Sequence, residues 1–264
     1  MPELLGLPYS PWTEKARFSL DVRRVPYTFR YYQPLVGEPA LRVKLRRPLG
    51  RVTVPVLTTD NGRVLADSMD IARWGDGLGE GLSLFPPEHE AAIARFVAIS
   101  ERGLGAGRAL SLTRMLDDEE ALLEMVPRPL RGALGRAAVQ VARAGIARTR
   151  RKYGGHQADA EAHRRTLTGV LDDIRAALRE APATMGGDPP GPPAQPASGP
   201  RTLLGRLTFA DIAAAQVLVS VEPPATGLRL GPGSRRCFVE PGLRERYADL
   251  VEWRDDLYRT YRSA

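Results

Sequence analysis

Residues 7–20 read LPYSPWTEKARFSL, and the division of this stretch decides the fold. The apolar run ELLGL (3–7) suits a buried strand. TEKARFSLDVRR (13–24) is built from good helix formers, and Pro26 stops it. Ser10 and Pro11 stand at the switch. Serine is a favoured helix cap, and proline fits the first helical turn, where its missing N–H costs little. Alone, YSP reads as a serine-capped helix start following a turn.

Working outward, YTFRYY (27–32) is aromatic-rich and strand-like. VPVLTT and RVLA flank DNG (60–62), a strong hairpin signal. DSMDIARWG (67–75) begins with a capping residue and ends on glycine, as a short helix does. The order is β-α-β, an unassigned middle, then a β-hairpin and a helix. After Pro86 the strand signals fade. EHEAAIARFVAISERGL puts Ile93, Phe96, Val97, Ser100 and Leu104 on one helical face. Residues 118–152, 158–181, 207–221 and 241–262 are expected to be helical, and in the last Leu243, Tyr247, Leu250, Val251, Leu257, Tyr258 and Tyr261 share a face. The expected units are 1–80 and 88–264, with GEGLSLFPPE (79–88) as the junction and a proline-rich, exposed loop at 187–200.

Bulk properties set limits on function. The 264 residues suffice for one large or two modest domains, and 43% hydrophobic with 26% charged content is ordinary for a globular protein. No apolar run approaches the roughly 20 residues that span a bilayer, so no membrane association is expected. The start, MPELLGL, carries no secretory signal, and the lone Cys237 cannot form an internal disulfide; a cytoplasmic setting is expected. The net charge of +7 comes almost wholly from arginine. Its dense cluster, RTRRKY (148–153), could serve an anionic surface, but few aromatics accompany it, and solvated charge is the simpler reading. No nucleic-acid partner is expected. His89, His156 and His163 are too scattered for a metal site.

A strand running through a tight turn into a helix leaves N–H groups unpaired at the helix start, where they favour negative charge. A thiolate is such a charge, and lowering a thiol from about 8.5 by two units takes about 2.7 kcal/mol. Ser10 stands where the supporting hydroxyl donor is needed. In TVPVL (53–57), a proline opening a strand suits a cis bond or an edge, and a cis bond would turn the Val54 N–H and C=O toward an extended peptide-like ligand. In ADS (66–68), Ser68 and neighbouring N–H groups could hold a carboxylate and Asp67 an ammonium.

These segments resemble the glutathione transferase superfamily. SPWTEKARFSL is similar to a CPFAERTRLVL-type stretch of the omega class, with Ser10 in the place of cysteine. VPVL resembles the family's cis-proline strand, DSMDIARW its ESxAIxxYL helix, and LTFADIAAAQVL (207–218) its lTyADial segment, where Thr208 and Asp211 form a capping box. The resemblance implies an α/β plus all-α chain: a thioredoxin-like N-terminal domain followed by an all-helical C-terminal domain. It implies glutathione, or another low-molecular-weight thiol, as cosubstrate and a small electrophile as substrate, for conjugation, isomerisation or ether cleavage. It also implies a homodimer. Ser10 would hydrogen-bond the thiolate, with Tyr9 as its competitor and Trp12 lining the pocket. Val54 beside Pro55 would pair with the cysteinyl backbone, and Asp67 and Ser68 would hold the γ-glutamyl end.

The departures are specific. Ser10 and Thr13 stand where a glutaredoxin has CPYC thiols, so mixed-disulfide exchange has no nucleophile here. GRVTVPVL is two residues longer than the family's GKVPVL, which leaves Arg51 as the candidate for the glycine carboxylate. Asp67 is one methylene shorter than the usual glutamate. These departures suit an alternative, a non-catalytic binding module on the same fold. Arg95, Arg102, Arg108 and Arg114 recur along the first helix of the second domain; they read either as a solvated face or as an anionic-substrate pocket above Ser10.

Overall fold

The computed structural model describes residues 1–34, 36–135, 137–153, 160–181 and 199–262. Most of the 187–200 loop, and His156, lie outside the described residues. Strand β1 (Glu3–Gly6) leads to α1 (Pro11–Val22), β2 (Thr28–Tyr31), α2 (Glu38–Leu45), β3 (Val56–Thr58), β4 (Val64–Leu65) and α3 (Ser68–Asp76). The sheet order is β2-β1-β3-β4; β1 pairs parallel with β2 and antiparallel with β3, which pairs antiparallel with β4. This is a thioredoxin-like arrangement of sheet and helices. Gly62 turns the β3–β4 hairpin at φ 79°, in the left-handed region that glycine tolerates.

Helices follow: α4 (Glu90–Met115), α5 (Glu119–Glu124), α6 (Arg128–Leu134), α7 (Ala137–Lys152), α8 (Ala160–Glu180), α9 (Phe209–Val217), α10 (Pro232–Phe238), α11 (Pro241–Arg246) and α12 (Ala248–Tyr261). The expected 118–152 helix is three helices, broken where Pro127 and Gly135 interrupt the ladder. The expected 241–262 helix breaks at Tyr247, although Leu243, Tyr247, Leu250, Leu257 and Tyr258 are all buried as the shared face requires. Two helices went unread in the sequence, α2 and α10.

Helix α1 belongs to two cores. Ala16 and Leu20 pack with Leu4, Leu57 and Ile71 of the sheet layer. Phe18 points the other way, into the helical core with Phe209, Ile212 and Tyr258, and meets the Tyr258 ring edge-on at 5.2 Å. Full burial of such a ring contributes about 2–3 kcal/mol. Below the centre of the helical layer, Asp211 is fully buried and accepts from the Leu203 N–H (2.7 Å), the Thr208 N–H (2.9 Å) and the Thr208 hydroxyl (3.0 Å). Burial still raises its carboxyl to about 6. The junction after α3 is pinned by Arg23, whose guanidinium donates to the carbonyls of Asp76, Gly79, Glu80 and Leu82.

Candidate functional site

The β1–α1 turn is set by local chemistry. A Cβ on Gly6 would lie 2.5 Å from Thr13 Cγ2, so only glycine lets the strand end approach the helix so closely. Thr13 is buried, and its hydroxyl accepts from the Leu7 N–H at 3.2 Å. It is a packing residue, closed off from any ligand. Ser10 caps α1 from an extended conformation (φ −92°, ψ 124°) and accepts from the Thr13 N–H at 3.5 Å. That bond is long, and the hydroxyl proton has no acceptor among the described residues. Pro11 has no N–H, so the Ser10 hydroxyl and the Trp12 N–H are the donors at the mouth of the helix.

Tyr9 faces elsewhere. Its phenol lies beside those of Tyr31 and Tyr32 and is pushed well above the usual tyrosine range by burial first and by Tyr31 second. The turn thus separates the two hydroxyl candidates: Ser10 at the helix start, Tyr9 under the end of β2.

The Val54–Pro55 peptide is cis. The ladder with β1 ends at Val56, opposite Leu5, so Val54 lies beyond it, and its N–H and C=O carry no hydrogen bond among the described residues. Asp67 caps α3 through the Met69 N–H at 2.8 Å and is exposed. Ser68, the first residue of α3, is buried, and its hydroxyl has no partner among the described residues.

The wall facing α1 was largely unread. The Trp12 indole donates to both carboxylate oxygens of Glu101, at 2.7 and 3.0 Å. Lys15, 1% exposed, places its ammonium 2.5 Å from the same carboxylate. The Arg108 guanidinium lies over the Trp12 ring at 4.6 Å and over the Tyr153 ring at 3.6 Å. Arg51 reaches across from the sheet domain: it donates to the Lys152 carbonyl (2.8 Å), capping the end of α7, and lies 5.1 Å from the Tyr153 ring. The Lys152 ammonium answers by donating to the Val52 carbonyl at 2.8 Å. Half of the RTRRKY run is therefore turned inward; Arg148 pairs with Glu38 at 3.6 Å. The aromatic that ends this run, Tyr153, was the signal in the sequence for a wall rather than a solvated face.

Other features stay apart from this site. Cys237 is buried in α10, its thiol pushed up to about 11 chiefly by burial. Among the described residues no group of His, Cys, Asp and Glu could hold a metal ion, and no helix is long and apolar enough to cross a membrane. A cavity of about 640 Å³ lies on the far side of α1, against Arg17, Asp21, Tyr27 and Arg262. Arg17 and Arg262 are engaged there by the buried Glu14, so it is the outer wall of an ion network and not an extension of the Ser10 mouth.

Residues 4–79 match the family model of the glutathione S-transferase N-terminal domain. A probable glutathione S-transferase of Solanum tuberosum is 33% identical over 97 residues, which span 36% of this chain and 43% of the potato protein. In fold, the chain is similar over 100% of its length, and 98% of the other's, to a glutathione S-transferase of Ceriporiopsis subvermispora solved in complex with glutathione (TM-score 0.62, 19% identity). A glutathione transferase of Phanerochaete chrysosporium aligns over the same shares with a TM-score of 0.58 and 17% identity. One of Methylobacillus flagellatus, solved with glutathione bound, aligns over 98% of this chain and 95% of its own (TM-score 0.55, 16% identity). The chain is thus similar to glutathione S-transferases in sequence over residues 4–79 and in fold over its whole length.

Proposed function

We propose that this chain is a glutathione transferase-type enzyme, in which residues 1–80 hold the thiol and residues 88–264 supply the wall for a small electrophile. The observation that carries the reading is the Ser10 hydroxyl, placed at a helix start with its proton unclaimed. The thiol of glutathione gives its proton to solvent, and the thiolate is held by the Ser10 O–H and the Trp12 N–H. A charge-assisted hydrogen bond contributes about 1.5–3 kcal/mol and a helix start about 0.3–1 kcal/mol. Together they match the roughly 2.7 kcal/mol that moves a thiol by two units. The sulfur then forms a bond to the electrophilic carbon, and the leaving group departs with its electron pair.

The unpaired N–H and C=O of Val54, beside Pro55, suit the cysteinyl backbone of an extended thiol peptide. The Ser68 hydroxyl and the start of α3 suit the γ-glutamyl carboxylate, and the exposed Asp67 its ammonium. Arg51 suits the glycine carboxylate. Bound glutathione in the Ceriporiopsis and Methylobacillus structures supports the choice of thiol. Tyr9, committed to Tyr31 and Tyr32, is left out of the thiolate role. A cytoplasmic homodimer is the setting that the family resemblance implies, and a solution mass would test the dimer.

The experiment pairs a thermal shift with turnover. Glutathione is expected to raise Tm, and Ser10→Ala to lower kcat on an aryl halide by about 10²-fold, as loss of one preorganised donor does. A glutathione-induced shift with no turnover on any electrophile would favour the non-catalytic binding module. No shift with glutathione or other small thiols would overturn the thiol site itself.

A further inference from the structure

We propose that Arg108 seats an anionic group, a carboxylate or sulfonate, on the electrophile that meets the thiolate at Ser10. This rests on the thiol-transfer reading above and narrows its substrate class.

The four arginines of α4 differ in what they meet. Arg102 pairs with Asp173 at 3.6 Å, and Arg114 pairs with Glu240 at 2.5 Å and donates to the Cys237 carbonyl. Arg95 is exposed and lies over its neighbour Phe96. Arg108 alone of the four is half-buried without an acceptor: no carboxylate lies within 4 Å and none of its N–H groups makes a hydrogen bond among the described residues. Its nitrogens are nonetheless not sealed from solvent. The guanidinium carbon lies over the rings of Trp12 and Tyr153, and the N–H donors at its edge stay free among the described residues. Such an edge, presented as a fork, fits an oxyanion bidentately.

The charge around Arg108 is mostly positive. Among the described residues, Lys152 and Arg51 also lack a carboxylate within 4 Å, and they spend one donor each on a backbone carbonyl. The nearby Glu101 is engaged by Trp12 and Lys15. Burial lowers both Arg108 and Lys152 from their usual ranges, Arg51 lowers both further, and the opposing pull of Glu101 on Arg108 and of Glu38 on Lys152 does not offset it. Trp12 is two residues from Ser10, and the Val52 carbonyl held by Lys152 is two residues from Val54. The cations therefore rest on residues two positions along the chain from each of the segments that would hold the thiol's cysteinyl unit.

The test uses the full chain, glutathione, and a matched pair of aryl chlorides: 4-chloro-3,5-dinitrobenzoate and its neutral carboxamide. In both, a C–S bond forms at the chlorinated carbon, chloride leaves with the C–Cl electron pair, and the thiol proton passes to buffer. With each kcat/KM divided by its uncatalysed rate, the wild type is expected to prefer the benzoate by about tenfold, the size of one charge-assisted contact. Arg108→Gln is expected to abolish the preference, and Arg108→Lys to restore part of it. Equal treatment of the pair by the wild type, or an unchanged preference in Arg108→Gln, overturns the proposal. So does a defect that follows the thiol: a raised KM for glutathione but not for its C-terminal amide would place Arg108 on the glycine carboxylate. If neither chloride is turned over, the transferase reading falls, and binding decides this inference separately. Quenching of tryptophan fluorescence by 3,5-dinitrobenzoate should then exceed that by the amide about tenfold in affinity, with the excess lost in Arg108→Gln; equal affinities overturn it.

Discussion

The two sides of helix α1 treat charge in opposite ways. On the side away from Ser10, Glu14 is fully buried between Arg262 (2.7 Å) and Arg17 (3.2 Å), and Arg262 also reaches Asp21 at 2.7 Å. Each carboxylate there has a cation, and Gly227, at φ 84°, brings its backbone so close that a Cβ would lie 2.4 Å from Glu14. On the Ser10 side, Arg51, Arg108 and Lys152 gather with no carboxylate of the described residues within 4 Å. A closed ion network fixes the C-terminal helix onto α1. An open one leaves donors for something that arrives from outside. The difference separates charge used for architecture from charge kept for a ligand.

The largest effect should come from breaking the closed side. Glu14→Ala takes from Arg17 its carboxylate partner, leaves Arg262 with Asp21 alone, and should cost about 3–5 kcal/mol in chemical denaturation. A loss below about 1 kcal/mol would mean that the network is solvated and the contrast between the two sides is false.

Next in size is the buried Asp211, a charge held by neutral donors alone. Asp211→Ala should cost about 2–4 kcal/mol, because three donors lose their acceptor. Burial lifts its carboxyl to about 6 from an ordinary value near 4, so the folded state holds more protons between these values. Its contribution to stability should therefore fall as pH rises from about 4 to 6. In Asp211→Asn that part of the Tm-against-pH curve should flatten; an unchanged curve would show that Asp211 does not titrate there.

What was legible in the sequence follows from how local each cause is. The Ser10-Pro11 cap, the DNG turn and the Thr208–Asp211 box involve neighbours within four residues, and each forms an element where the sequence places it. Helix α10 was illegible because its sequence, PGSRRCF, reads as loop. Its start is held by the Glu124 carboxylate, which accepts from the Gly233 and Ser234 N–H groups at 2.8 Å across more than 100 residues. Helix α2 is eight residues long and carries Pro39 in its first turn, too short for periodicity to show. The four arginines of α4 have the same spacing signal, and only the packing of Trp12 and Tyr153 distinguishes Arg108 from the rest.

The smallest effect should fall on a charge that belongs to neither class. Arg102, exposed and 3.6 Å from an exposed Asp173, should change stability by less than about 0.5 kcal/mol when replaced by glutamine. A larger change would extend the structural network to a surface that the contrast leaves out.

The central claim is that Ser10 stabilises a thiolate it does not supply. The most direct measurement is the pH titration of the ultraviolet thiolate absorbance of glutathione bound to the wild type and to Ser10→Ala. The account predicts a bound thiol about two units below its free value of about 8.5 in the wild type, and a return to about 8 or above in the variant. The same titration in both proteins would contradict it.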